Sequence, residues 1–280
     1  ENGIRSVAFS PDGLQIASGG VDQTIKFWKS VSGQCFRTVV GCNSGVRSVS
    51  FSPDGSWLAS GGSDQMVKLW DVSSGKCLKT LQGHQDGILS VSFSPKGVHL
   101  ASGGYDRTVK LWNINNGTCT NTFQGHQNFF LPVSYSPNGL QFASGSADRT
   151  IKLWDVNSGR CINTLKGHQN WVWAVVFSPN GLQLASGSAD RTIKLWDISS
   201  GGCINTLKGH QNGVRSVAFS PNGSHLASGS YDAKVRIWST ITGECSMVLD
   251  DRPYAGLNLS GVSGLKEGER GSLKVLGAIE

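Results

Sequence analysis

Residues 126–168 read HQNFFLPVSYSPNGLQFASGSADRTIKLWDVNSGRCINTLKGH, and their pattern is the basis for predicting the fold. Four short segments carry residues that favour extended structure, namely 131–135, 141–146, 150–154 and 161–165. Three segments rich in Pro, Gly, Asn and Asp separate them and are typical of tight turns, namely Ser136-Pro137-Asn138-Gly139, Ala147-Asp148-Arg149 and Asn157-Ser158-Gly159. The stretch therefore predicts four antiparallel strands joined by short turns.

The same unit recurs at a step of 42 residues with no insertion. Tryptophan keeps this step at Trp28, Trp70, Trp112, Trp154, Trp196 and Trp238. One four-stranded unit is too small to be stable alone, and this period is typical of propeller blades that stack radially. We therefore expect an all-β propeller over residues 1–250, with blades at 1–42, 43–84, 85–126, 127–168, 169–210 and 211–250.

The repeats resemble the WD-repeat β-propeller family over about nine-tenths of the chain. The resemblance rests on Gly-His pairs, each followed 28 residues after the His by a Trp, at Gly83-His84, Gly125-His126, Gly167-His168 and Gly209-His210. Trp-Asp pairs stand at Trp70-Asp71, Trp154-Asp155 and Trp196-Asp197. Cys42 occupies the position of a family His, so the second blade is expected to lack that contact.

Residues 251–280 leave the repeat and form a short C-terminal tail. Leu265, Leu273 and Leu276 recur at roughly helical spacing, which predicts a short terminal helix. The tail resembles the C-terminal ends of bacterial multidomain proteins that place a propeller behind a signalling NTPase-like module. Glu1 stands where the residue after a Gly-His pair would stand, so we expect a fragment of a longer protein.

Composition limits the remaining classes of protein. The 37 glycines and 16% charged residues argue against coiled coils and long helices. The longest apolar run, Trp171 to Phe177, is far shorter than the roughly 20 residues of a membrane span, and no signal-peptide leader is visible. Six of the seven cysteines recur once per repeat, which predicts free, buried thiols in a reducing compartment. We therefore expect a cytoplasmic protein with no membrane partner.

Four repeats carry one His, Ser, Asp and Trp at fixed spacing, and we call each set a tetrad. The four sets are His84, Ser102, Asp106 and Trp112; His126, Ser144, Asp148 and Trp154; His168, Ser186, Asp190 and Trp196; and His210, Ser228, Asp232 and Trp238. Ser, His and Asp suggest a hydrolase, but an enzyme needs one exposed nucleophile and here every candidate occurs four times. The family resemblance implies a structural chain of hydrogen bonds instead. We predict no catalytic activity.

Metal and cofactor motifs are also missing from the sequence. It contains no Gly-x-Ser-x-Gly, no phosphate-binding Gly-rich loop and no paired Cys-x-x-Cys. His99 and His225 share one repeat position, but they stand three blades apart and so cannot share a metal ion. We predict neither a metal nor a cofactor.

Binding residues are sought where the repeats differ, at the end of the propeller that carries the second-to-third strand turns and the loops between blades. Tetrad His and Asp mark this end, which we call the His–Asp face. Three repeat positions on this face are expected to bind partners. The aromatic and apolar residues at these positions are Tyr105, Phe129, Leu131, Trp171, Trp173 and Tyr231, and the basic residues are Arg5, Arg47 and Arg215. The alternative is that the aromatic side chains plug the mouth of the central channel.

These observations predict a non-catalytic scaffold that binds a protein or peptide partner on the His–Asp face. Two alternatives remain open. The net charge of +6 allows a propeller that binds nucleic acid or acts as the regulatory sensor of an NTPase-type signalling protein, although the basic residues are spread round the repeats. A hydrolase would depend on one serine alone.

Overall fold

The computed structural model describes residues 3–41 and 43–250, apart from the side chains of residues 130 and 131. The chain forms 24 β-strands here and no helix within these residues. Each successive group of four strands pairs in antiparallel order into one sheet, and we call the sheets blades 1 to 6 in chain order. This architecture confirms the predicted all-β propeller of six four-stranded blades.

The strand bounds repeat with the period of the sequence. In blades 1 to 3 they are β1 Ile4–Phe9, β2 Gln15–Gly20, β3 Thr24–Lys29, β4 Cys35–Val40, β5 Val46–Phe51, β6 Trp57–Gly62, β7 Val67–Asp71, β8 Cys77–Leu81, β9 Ile88–Phe93, β10 His99–Gly104, β11 Thr108–Asn113 and β12 Cys119–Gln124. In blades 4 to 6 they are β13 Phe130–Tyr135, β14 Gln141–Ser146, β15 Thr150–Asp155, β16 Cys161–Lys166, β17 Val172–Phe177, β18 Gln183–Ser188, β19 Ile193–Asp197, β20 Cys203–Leu207, β21 Val214–Phe219, β22 His225–Ser230, β23 Val235–Ser239 and β24 Cys245–Leu249.

The turn between the first and second strands forms as its sequence predicts. In blade 4 the Gly139 amide donates to the Ser136 carbonyl at 2.9 Å, and the Ser136 hydroxyl donates to the Asn138 side chain at 2.7 Å. Gly139 has φ of 71°, a left-handed conformation in which a Cβ would be strained. Gly therefore fits the end of this turn for a steric reason.

The cores lie between blades. The first strands of successive blades contact one another, as β1 does β5 and β17 does β21, so these strands are innermost. Each core cluster joins the second and third strands of one blade to the first strand of the next. Between blades 1 and 2, for example, Ala17 and Ile25 pack against Val46, Val49 and Phe51. A blade therefore buries its apolar faces only through its neighbours.

The cysteine prediction was wrong in one respect. The six repeat cysteines Cys35, Cys77, Cys119, Cys161, Cys203 and Cys245 are free as expected, but all are exposed rather than buried. Each begins the fourth strand, which is the outermost strand of its blade. The Sγ atoms lie 3.3–3.5 Å from the carbonyl oxygen two residues further on, along the strand and not in a core.

Two other expectations fall on parts of the chain outside this description. The prediction of a terminal helix falls on residues 251–280, and the prediction of a missing contact falls on Cys42; neither is among the described residues. Within the described part of the chain, no helix has the length and hydropathy needed to cross a membrane.

Candidate functional site

Strand order places the His–Asp face at one end of every blade. In an antiparallel meander, the turn between the second and third strands and the loop into the next blade lie at the same end. Tetrad Asp stands in that turn and tetrad His in that loop. In blade 3, for example, the His84 Nδ1 atom lies 2.7 Å from Asp106 Oδ2, so the two segments meet.

All four tetrads are assembled as continuous hydrogen-bond chains. Trp Nε1 donates to Ser Oγ at 2.7–2.8 Å, and Ser Oγ lies 2.7–3.0 Å from His Nε2. His Nδ1 lies 2.7–2.8 Å from Asp Oδ2. An ionised carboxylate only accepts, so Nδ1 donates to it, and the serine hydroxyl, already an acceptor from the indole, donates to Nε2. Each chain joins the second and third strands to the preceding loop.

The Asp turn adopts an unusual backbone conformation that the tetrad helps to hold. The residue after Asp has positive φ without being glycine in every blade, as at Arg107 with φ of 61° and Arg149 with φ of 71°. A non-glycine residue rarely adopts this conformation. Asp148 fixes the turn by accepting hydrogen bonds from the amide of Thr150 at 2.9 Å and from its hydroxyl at 2.7 Å.

Threonine is a fifth member of three tetrads, which the sequence analysis missed. Thr108, Thr150 and Thr192 each donate a hydroxyl to the tetrad Asp at 2.6–2.8 Å. The available signal was a hydroxyl two residues after Asp, at the spacing of a local side-chain turn. Blade 6 has Lys234 at this position, whose backbone amide alone donates to Asp232 at 3.0 Å.

Hydrogen bonding keeps the tetrad carboxylates ionised. Burial alone would raise the pKa of Asp106. The hydrogen bond and electrostatic attraction from His84, together with the hydrogen bond from the Gln85 amide, outweigh burial and lower that pKa to about 2. The same opposition lowers the pKa of Asp148, Asp190 and Asp232. Each histidine therefore faces a negative charge.

Tetrad serines are not placed as nucleophiles. Ser102, Ser144, Ser186 and Ser228 are buried, and each accepts an indole hydrogen bond. A nucleophile must reach substrate beside an oxyanion site, and these hydroxyls have no such access. Among the described residues, no group of acidic, histidine and cysteine side chains could hold a metal ion.

In blades 1 and 2 the described residues form only parts of a tetrad. The indoles of Trp28 and Trp70 donate to Ser18 and Ser60 at 2.8 Å. In blade 2 the Asp64 carboxylate lies 3.3 Å from Lys68 Nζ and accepts from the Asn43 amide at 3.4 Å. Its contacts are longer than those of the complete tetrads.

A β-bulge positions one variable residue on the His–Asp face of each blade. In blade 5 the pairing of β17 with β18 passes from Val172 directly to Ala174, so Trp173 is an extra residue opposite no partner. The same shift leaves Arg5, Arg47 and Arg215 unpaired in blades 1, 2 and 6. A bulge interrupts the regular alternation of side chains between the two faces of a sheet and changes the direction of the extra side chain. Here it places these side chains at the end of the innermost strand, outside the regular pairing.

The candidate binding residues form two aromatic clusters. In the first, the Phe129 ring contacts Tyr105 at a centroid distance of 5.1 Å and Trp171 at 5.6 Å. The guanidinium of Arg47 lies 5.3 Å from the Tyr105 ring centroid. We call these four residues the Phe129 cluster, which joins blades 2 to 5.

The second cluster lies on blades 5 and 6. Trp173 contacts Tyr231 edge to face at 5.4 Å, and Arg215 lies 5.2 Å from the Trp173 ring and 5.7 Å from that of Tyr231. We call these three residues the Trp173 cluster. The Trp173 ring packs against Gly213, because a Cβ at that position would overlap the indole.

The two tryptophans of blade 5 belong to different clusters. Trp171 and Trp173 are two residues apart, yet their ring contacts lead in opposite directions round the propeller, to Phe129 and to Tyr231. The bulge at Trp173 breaks the alternation that would place both indoles on one side. Arg5 is exposed on blade 1, and the side chain of Leu131 lies outside the described part of the chain.

Comparison with known proteins agrees with this geometry. No curated protein matches the chain significantly. The family model described as WD domain, G-beta repeat matches six times, at residues 1–29, 33–71, 75–113, 117–155, 159–197 and 201–239. These matches cover well over half of the chain and coincide with six four-stranded blades, so the chain belongs to the WD-repeat family.

Proposed function

We propose that this propeller is a non-catalytic platform that binds a protein or peptide segment on the His–Asp face. Propellers of the WD-repeat family are commonly scaffolds for protein interactions. The observation that carries the proposal is the pair of aromatic clusters, which are built from positions where the repeats differ. Repeat positions that only maintain the fold do not need such differences.

Exposure and charge define the ligand that would fit. Trp171 and Tyr231 are exposed although both are large and partly apolar, which is typical of an interface anchor and costly for a surface with no ligand. Arg47 and Arg215 lie over aromatic rings, and such stacked guanidinium groups can still pair with carboxylates through their edges. The ligand we propose is a peptide segment with an apolar or aromatic side chain flanked by Asp or Glu.

The test uses a random peptide library displayed on phage and selected on the folded protein. Binders would be selected on the parent protein alone, and their Kd for the parent and for a Trp171→Ala/Trp173→Ala variant measured by fluorescence polarisation. An aromatic anchor at an interface centre contributes about 2 kcal/mol or more, so Trp173→Ala should weaken binding roughly thirtyfold. Arg215→Ala should mainly slow association and reduce its salt dependence.

A matched control lies at the opposite end of the same blades. Leu140 and Leu182 are exposed apolar residues in the turns between first and second strands, so Leu140→Ala/Leu182→Ala should leave binding unchanged. Peptides that bind the tryptophan variant as tightly as the parent would overturn the proposal. A large drop in thermal stability of that variant with full peptide binding would show instead that the aromatic side chains plug the channel.

A further inference from the structure

The first strand of blade 1 exposes apolar residues whose described equivalents in the other blades are buried or partly buried. Ile4 is 61% exposed, whereas its equivalents are fully buried at 0%, namely Val46, Ile88, Val172 and Val214. Phe9 is 63% exposed, whereas its equivalents in blades 2 to 5 are 6–8% exposed, namely Phe51, Phe93, Tyr135 and Phe177. With Val7, which is also exposed, these residues form what we call the blade 1 end face.

Blade 6 shows the complementary exposure on its second, third and fourth strands. Val235 is 41% exposed, whereas its equivalents are at 0%, namely Ile25, Val67, Val109, Ile151 and Ile193. Leu249 is 48% exposed, whereas its equivalents in blades 2 to 5 are 1–3% exposed, namely Leu81, Phe123, Leu165 and Leu207. Val235, Leu249 and the partly buried Ala227 form the blade 6 end face.

A glycine on blade 6 marks the same unoccupied space. A Cβ built on the equivalent glycines of other blades would lie 2.5–2.8 Å from the first-strand Val or Ile of the next blade, at Gly19, Gly61, Gly145 and Gly187. At Gly229 such a Cβ would meet only Ser216 of its own blade, at 3.2 Å. The glycine leaves room for a neighbouring strand, and no described residue fills that room.

Five inter-blade cores therefore serve six blades, and one blade-to-blade junction is missing. We propose that the two end faces are a docking site for one further four-stranded blade of the WD-repeat type, which closes the ring with seven blades. The established interfaces define its chemistry. Its first strand presents three apolar residues to blade 6: one Val or Ile, then a Val, then a Phe. Its other strands present three apolar residues to blade 1: an Ala, an Ile or Val, and a Leu.

One repeat of about 42 residues offers both surfaces at once, which other occupants do not. Residues 251–280 follow blade 6, but the six family matches end at residue 239 and the tail has no Gly-His or Trp pattern. A second copy of the chain would cover one end face and leave the other open on each molecule, which produces an open-ended chain.

Blade 1 supplies an independent argument. Ser18 and Trp28 are bonded at 2.8 Å as in a complete tetrad, and Asp22 accepts the Thr24 hydroxyl at 2.8 Å as tetrad Asp does elsewhere. Among the described residues no histidine joins them. A blade of this type ends in Gly-His, and its histidine would complete the tetrad of blade 1 when the blade docks there.

The test is a graft of the chain's own fifth repeat. A copy of residues 169–210 fused ahead of Glu1 keeps the 42-residue register and offers both complementary faces. The graft should raise the Tm of the full chain by roughly 5 °C or more and slow amide hydrogen exchange of β1 and β23 at least tenfold. A graft that exchanges as an unfolded segment, with β1 and β23 unchanged, would overturn the proposal.

Two controls identify the surface and the competing occupants. In the grafted copy, the residues that match Val172, Val175 and Phe177 are replaced by Ser. These replacements should abolish the slower amide exchange, because the first strand of the graft faces blade 6. In the ungrafted chain, deletion of residues 251–280 should leave exchange of β1 unchanged, and sedimentation should show a monomer. Faster exchange after deletion would assign the site to the tail, and a dimer that protects β1 would assign it to a second copy; both would overturn the proposal.

Discussion

At the scale of single residues, the four tetrads act as cross-links between a turn and a loop. Asp148 accepts four hydrogen bonds, from His126, from the amide of Gln127 and from the amide and hydroxyl of Thr150. Asp64 in blade 2 instead has an ion pair with Lys68 and longer backbone contacts. Two aspartates at the same repeat position therefore contribute differently to the stability of their blades.

We predict that Asp148→Ala lowers the free energy of unfolding by about 2–4 kcal/mol, because it leaves a buried imidazole N–H without an acceptor. Asp64→Ala should cost less, about 1 kcal/mol, because it leaves no buried imidazole without an acceptor and the Lys68 side chain that loses its partner is partly exposed. Urea unfolding of both variants measures the difference. Equal losses would show that the tetrad contributes nothing beyond the turn itself.

At the scale of the strand, one residue interrupts the pattern of the innermost strands. Tyr135 in β13 occupies the position held by phenylalanine in the first strand of every other blade. Its hydroxyl is buried and has no hydrogen-bond partner among the described residues, and burial raises its pKa. A buried hydroxyl with no partner costs about 1–3 kcal/mol.

Tyr135→Phe should therefore raise the free energy of unfolding by about 1 kcal/mol, since it removes the hydroxyl and keeps the ring that packs against Phe142. The urea midpoint provides the measurement. Tyr231→Phe, on the exposed Trp173 cluster, is the matched control and should stay within about 0.5 kcal/mol of the parent. A less stable Tyr135→Phe protein would mean that the hydroxyl has a partner.

The strands and turns followed from the sequence because each uses local information. The 42-residue step predicts six four-stranded repeats, and the residues that favour strands and turns predict the strands of blade 4 to within one residue of their observed bounds. The divergence of Trp171 and Trp173 did not follow, because a β-bulge depends on pairing between two strands. The exposed cysteines were missed because a regular position within a repeat does not reveal which strand is outermost.

At the scale of the whole molecule, stability comes from contacts between blades, and the sequence alone could not show how many such contacts exist. Identical repeats predict identical junctions, yet Ile4 and Val235 are exposed where their equivalents are buried. The difference arises from position in the ring rather than from residue type. The sequence likewise predicted which repeat positions lie on the His–Asp face, but not that their aromatic side chains divide into two clusters.

Acid should unfold the propeller through its tetrads. The pKa of Asp106 is about 2 in the folded protein against an ordinary value of 3.8, and the pKa values of Asp148, Asp190 and Asp232 are also lowered. A carboxylate whose folded pKa is depressed stabilises the fold fully above its unfolded pKa and loses that contribution as pH falls through the folded value. The free energy of unfolding should therefore fall between about pH 4 and pH 2.

The measurement is the urea midpoint across this pH range for the parent and for Asp106→Asn, which cannot titrate at that position. The variant should start less stable at pH 7 and show a smaller fall between pH 4 and pH 2 than the parent. Repulsion among surface cations also grows in acid, but salt at about 0.5 M screens it and leaves the buried pairs largely unaffected. A fall that disappears in salt, or that is equal in both proteins, would place the acid sensitivity on the surface charges instead of the tetrads.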